Sequence, residues 1–68
     1  MDEAMSTKKG LIRVGDEVHF RRRYGSGWVT VRSFNHENGW INGTDRRGLA
    51  RTIEADSITA IKRRKVTA

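Results

Sequence analysis

No apolar run in this chain exceeds three residues, and glycine, asparagine or aspartate recurs between the runs. A chain built this way has no stretch that could cross a membrane as a helix and no apolar segment of the kind found in a signal peptide. It also leaves no room for a helix longer than one turn. Between Val14 and Ile61 the apolar residues alternate with polar ones over short spans, which is the period of a half-buried strand. Neither proline nor cysteine occurs. Polyproline and collagen-like chains are thereby excluded, as are a disulfide framework and a cysteine-based zinc site.

Five strands follow from this punctuation. After the turn signal Gly15-Asp16, Val18 and Phe20 alternate with His19 and Arg21 in a first strand that runs to Tyr24. Gly25-Ser26-Gly27 reads as a break in the chain, because glycine accepts positive φ without steric cost. Trp28 to Phe34 is β-branched and aromatic, hence a second strand, with Val29 and Val31 on one face and Trp28, Thr30, Arg32 and Phe34 on the other. Asn38-Gly39 is a strong hairpin signal and leads into a third strand, Trp40 to Thr44. Asp45-Arg46-Arg47-Gly48 has aspartate first and glycine last, as a type I turn prefers. Leu49 to Ile53 is a fourth strand, Glu54 to Ser57 a short link with a 3₁₀ turn, and Ile58 to Lys62 a fifth strand.

The expected fold class is all-β: a single five-stranded small barrel over residues 11–64, with a flexible N-terminal tail over 1–10 and a basic C-terminal tail, 65–68. With 68 residues there is one domain at most. A chain this short buries only about 60% of the surface it exposes when unfolded. The expected core is Val14, Val18, Phe20, Val29, Val31, Ile41, Leu49, Ile53, Ile58 and Ile61. Curling the sheet, or packing two halves of it orthogonally, hides such a face with few exposed edges.

Gly15-Asp16-x-Val18-x-Phe20, a glycine-rich first loop, two hairpins, a polar turn at residues 54–57 and a short last strand resemble the SH3-like small barrel. Within that group they look like the KOW and Tudor-like modules. The first loop lacks the acidic-aromatic sequence of peptide-binding SH3 domains. The spacing of Gly15-Asp16-x-Val18, Trp28, Gly39-Trp40, Gly48, Ile53, Ile58 and Ile61 is also similar to the plasmid-encoded type II dihydrofolate reductase. That resemblance implies an enzyme whose pore is lined by a Val-Gln-Ile-Tyr stretch. Here the matching stretch is Ala50-Arg51-Thr52-Ile53, which has neither the glutamine nor the tyrosine.

Charge points to the partner. Lysine and arginine total 14 against 8 aspartate and glutamate, a net charge of +6, and ten of the 14 are arginine. Arginine binds phosphate bidentately and stacks on bases in ways lysine does not. The charges cluster as Arg21-Arg22-Arg23, Arg32, Arg46-Arg47, Arg51 and Lys62-Arg63-Arg64-Lys65. Interspersed charge would serve solubility equally well without the self-repulsion. The reading is a nucleic-acid-binding protein, DNA before RNA, that holds phosphates through Arg21, Arg23, Arg32, Arg46, Arg47 and Arg51, with Lys62, Arg63 and Arg64 adding non-specific affinity. Strict alternation turns Arg22 inward, so it is left out of that face. An adaptor or inhibitor docking on an acidic protein is the alternative, and the type II reductase a minor one.

Trp28 and Trp40 are candidate stacking residues for unpaired bases. They would equally serve to close the ends of the barrel and pack on each other. His19 and His36 are the only histidines and have no metal-ligand spacing. No nucleophile motif or phosphate-binding glycine loop occurs, so no enzyme, metal or cofactor is expected. The chain reads as a small soluble cytoplasmic protein of the bacterial or phage accessory type, with its oligomeric state open.

Overall fold

The computed structural model describes residues 4–23 and 25–63. Strands carry them, with one short 3₁₀ turn and no α-helix among the described residues. The order is β1 (Ala4–Thr7), β2 (Gly10–Arg13), β3 (Glu17–Arg22), β4 (Gly25–Asn35), β5 (Trp40–Asp45), β6 (Ala50–Glu54), the 3₁₀ turn Ala55–Ser57 and β7 (Ile58–Lys62). Strands β3 to β7 are the five anticipated from the alternation. They form one antiparallel sheet in the order β6-β5-β4-β3-β7, while β1 and β2 form a separate hairpin.

The connection between β6 and β7 dictates the shape of the sheet. The two lie at opposite edges, four strand spacings apart, or about 19 Å in a flat sheet. They also run in the same direction, with β6 ending beside Trp40 and β7 beginning beside Phe20 at the other end of the sheet. Three residues of 3₁₀ helix rise only about 6 Å. The sheet must therefore curl until β6 leads directly into β7. Two irregularities in register assist the bend: one in the β3–β7 ladder between His19 and Phe20, the other in the β4–β5 ladder between Val31 and Ser33. Such bulges sharpen the local twist.

Met5, Ile12, Val18, Val29, Val31, Ile41, Ile53 and Ile58 are buried inside the curl, with Phe20, Phe34, Ala55 and Ile61 packed against them. Several expectations need correction. Residues 4–7, assigned to a flexible tail, form a strand whose Met5 faces Ile12 across the β1–β2 hairpin, and both side chains close the core. Gly25-Ser26-Gly27 is not a break but the start of β4, paired with Arg22, Arg21 and Phe20. Phe34 turns inward because the bulge leaves Arg32 unpaired in the ladder and flips the alternation after it. Leu49 is 55% exposed, since it lies in the turn beyond the rim of the inner face. Val14 is only half-buried.

Asp16, the single buried charged residue among those described, joins the layers. Its carboxylate accepts the Arg13 N–H at 2.9 Å and pairs with Arg63 Nη1 at 3.3 Å. The same Arg63 nitrogen donates to the Leu11 carbonyl. Backbone bonds from Gly15 to Val31 and from Val31 to Asp16 tie the β2–β3 turn to β4.

Candidate nucleic-acid interface

Alternation carries the inner face of the sheet past its apolar core and out into solvent. On β3 the sequence of inward positions is Val18, Phe20, Arg22. On β6, read backwards, it is Ile53, Arg51. On β4 it is Val29, Gly27, Gly25. The core ends where these positions become arginine and glycine, and there an open groove of about 590 Å³ begins. Phe20, Ile53 and the Gly25–Gly27 backbone form its floor; Arg22, Arg47 and Arg51 form its rim, with Trp28 and Arg46 along one flank.

Arg22 spans the groove. Its Nη2 donates to the Thr52 carbonyl of β6 at 2.7 Å, and its guanidinium lies 5.8 Å from the centre of the Phe20 ring. Arg51 and Arg47 are set by the β5–β6 turn, which closes as its aspartate and glycine anticipate. Gly48 N–H donates to the Asp45 carbonyl at 3.0 Å, and Gly48 takes φ +85°. Asp45 Oδ1 accepts the Arg47 and Leu49 N–H groups at 2.9 and 3.0 Å, and Oδ2 pairs with Arg51 Nε at 3.2 Å. The Leu49 N–H above all, with the Arg51 side chain behind it, holds the Asp45 carboxyl below its ordinary pKa. The Arg47 side chain makes no hydrogen bond or ion pair with any other described residue.

Arg46 is committed to the outer face. It forks onto Glu17, Nε to Oε2 at 3.2 Å and Nη2 to Oε1 at 3.3 Å, and its guanidinium lies 5.4 Å from the centre of the Trp28 ring. The Arg46 hydrogen bond lowers the Glu17 pKa, assisted by the charges of Arg46 and Lys62, and Arg46 is raised in return. His19 meets the other exposed side of Trp28 edge-on at 5.1 Å while its Nδ1 sits 2.7 Å from Thr59 Oγ1.

Of the arginines singled out by sequence, Arg46, Arg47 and Arg51 come together. Arg21 lies on the outward side of β3 and Arg23 in the adjoining β3–β4 turn, both exposed. Arg32, at the bulge, donates weakly to Thr44 Oγ1 at 3.4 Å. Lys62 stands opposite Glu17 on the outer face. Arg63 is engaged with Leu11 and Asp16 at the end of β3 away from Arg22, and Arg64 lies outside the described residues. Trp28 is half-buried beside the groove, whereas Trp40 is 42% exposed at the opposite end of the β4–β5 ladder; the two do not pack on each other. The residue missing from the sequence-based face is Arg22. Its signal was the very alternation that set it aside: an inward arginine at a strand end marks the mouth of a curled sheet.

Among the described residues no three His, Asp or Glu side chains gather as a metal site, and no helix is long and apolar enough to cross a membrane. Fold and groove together define a small all-β domain with an arginine-rimmed cleft at one end of a curled sheet. No protein-family model, curated protein or solved structure matches the chain.

Proposed function

We propose that this protein binds nucleic acid, DNA before RNA, through the arginine groove of an SH3-like barrel. The strand order and the 3₁₀ turn before the last strand support the barrel. The observation that carries the function is the convergence of Arg22 from β3 with Arg47 and Arg51 from the β5–β6 hairpin on a groove whose lining includes one carboxylate, Asp45. Like charges crowd at a cost in self-repulsion, and a polyanion removes that cost by exchanging condensed counterions for guanidinium groups. A module this small buries roughly 600–1,000 Å² against DNA, so its affinity is modest and strongly salt-dependent.

The test is fluorescence anisotropy with labelled duplex DNA, single-stranded DNA and RNA at about 50 and 200 mM salt. Binding that falls steeply with salt is expected. Arg47→Ala removes a side chain with no described partner, so it should weaken binding, flatten the log-log salt slope by about 1 and leave stability within about 0.5 kcal/mol. Failure to bind any of the three at low salt overturns the proposal. Capture of an acidic protein with a shallow salt dependence would assign the same face to an adaptor with an apolar centre.

A further inference from the structure

Phosphate contacts alone need no apolar floor, yet this groove has one in Phe20 and Ile53. Its volume of about 590 Å³ falls in the range of small-molecule sites, about 300–1,000 Å³. Its floor combines a half-buried aromatic ring, Phe20, with a strand segment that presents glycine at both inward positions, Gly25 and Gly27. Glycine weakens a strand and marks a bend or a place where another backbone or a ligand comes close. At Gly43 the neighbour is visible: a Cβ there would lie 2.2 Å from the Thr30 carbonyl oxygen. At Gly27 it is the Phe20 ring, 3.5 Å away. At Gly25 a Cβ would meet nothing within 4 Å, its φ is not positive, and the space in front of it is the groove itself.

We infer that the groove accepts an unpaired base from a single strand, resting on the nucleic-acid reading above. The base would lie beside Phe20 in the open space over the Gly25 backbone. Arg22, paired with Gly25 in the β3–β4 ladder, stands beside that space and offers its guanidinium to the base. Arg47 and Arg51, on the rim, hold the phosphates on either side. A base stacked within a duplex cannot reach such a floor without leaving the helix, so the site selects single-stranded or locally opened nucleic acid. Arg22, Arg47 and Arg51 around the opening outnumber the single carboxylate there, Asp45, and suit the charge of a nucleotide chain.

The decisive comparison is between an oligothymidylate of about twelve nucleotides and an abasic oligomer of the same length, with a duplex of equal length alongside. All have the phosphates; only the first offers free bases. The full chain is expected to bind oligothymidylate at least about tenfold more tightly than the abasic strand at the same salt. Gly25→Val, which places a β-favouring side chain in the open groove, should erase that ratio while leaving abasic-strand affinity and the urea midpoint unchanged. Arg47→Ala should weaken both ligands and preserve the ratio. Equal affinity for the two strands, duplex preference, or a ratio that survives Gly25→Val in a folded variant overturns base insertion and leaves phosphate binding standing. Absence of binding to every ligand overturns both.

Discussion

At Gly43 a hydrogen atom stands where any side chain would collide with the next strand. A Cβ at this position would fall 2.2 Å from the Thr30 carbonyl oxygen and 2.5 Å from Val29 Cγ1. Both are within the β4–β5 ladder that bends at the Val31–Ser33 irregularity, so neither can swing aside. Gly43→Ala should therefore destabilise the protein by about 1–3 kcal/mol, the usual range for overpacking a tight interior, seen as a lower urea midpoint. An unchanged midpoint would mean that the two strands are less closely appressed than this geometry requires. Nothing in the local sequence announces that role, since Asn42-Gly43-Thr44 reads as ordinary strand. Asp45 and Gly48 are the opposite case. Their turn is made by bonds within five residues, so its chemistry is written in consecutive positions.

Elements were legible in proportion to their alternation. Strands β3, β4, β5, β6 and β7 each place at least one buried residue between polar neighbours, and their existence followed from that. The β1–β2 hairpin did not, because β1 contributes a single deeply buried side chain, Met5, and one apolar residue cannot display a period. Its turn is nonetheless built from local groups: Thr7 Oγ1 donates to the Gly10 carbonyl at 2.7 Å and accepts the Lys9 N–H at 3.2 Å. Glycine punctuation misled in the other direction at Gly25–Gly27, where freedom of φ was mistaken for a loop and the cause is an absence of side chain. If β1 closes the core as its burial implies, Met5→Ala should cost about 2 kcal/mol or more. A tail residue would cost nothing. Chemical denaturation of the two proteins side by side separates these outcomes, and a shared midpoint would detach the hairpin from the core.

For the whole molecule, the curl of the sheet decides which charges act together. Sequence clustering placed Arg46, Arg47 and Arg51 on one face with Arg21, Arg23 and Arg32 but could not show that Arg22 reaches β6 from another strand, because that contact depends on the path from β6 into β7. The same path takes Arg63 elsewhere. It bonds the Leu11 carbonyl of β2 and the carboxylate of Asp16, which is 3% exposed, and so fastens the end of β7 to the N-terminal hairpin. Although Arg63 belongs by sequence to the basic stretch at 62–65, its side chain is a tie between layers at the end of β3 remote from the groove. Arg63→Ala leaves a buried carboxylate with fewer partners, a loss of roughly 1–2 kcal/mol for a charged hydrogen bond that is partly solvated. The expected result is a lower urea midpoint with the salt slope of nucleic-acid binding intact, the reverse of Arg47→Ala. Should Arg63→Ala instead flatten the salt slope at unchanged stability, the phosphate path would run along β7 and the groove would not be its centre.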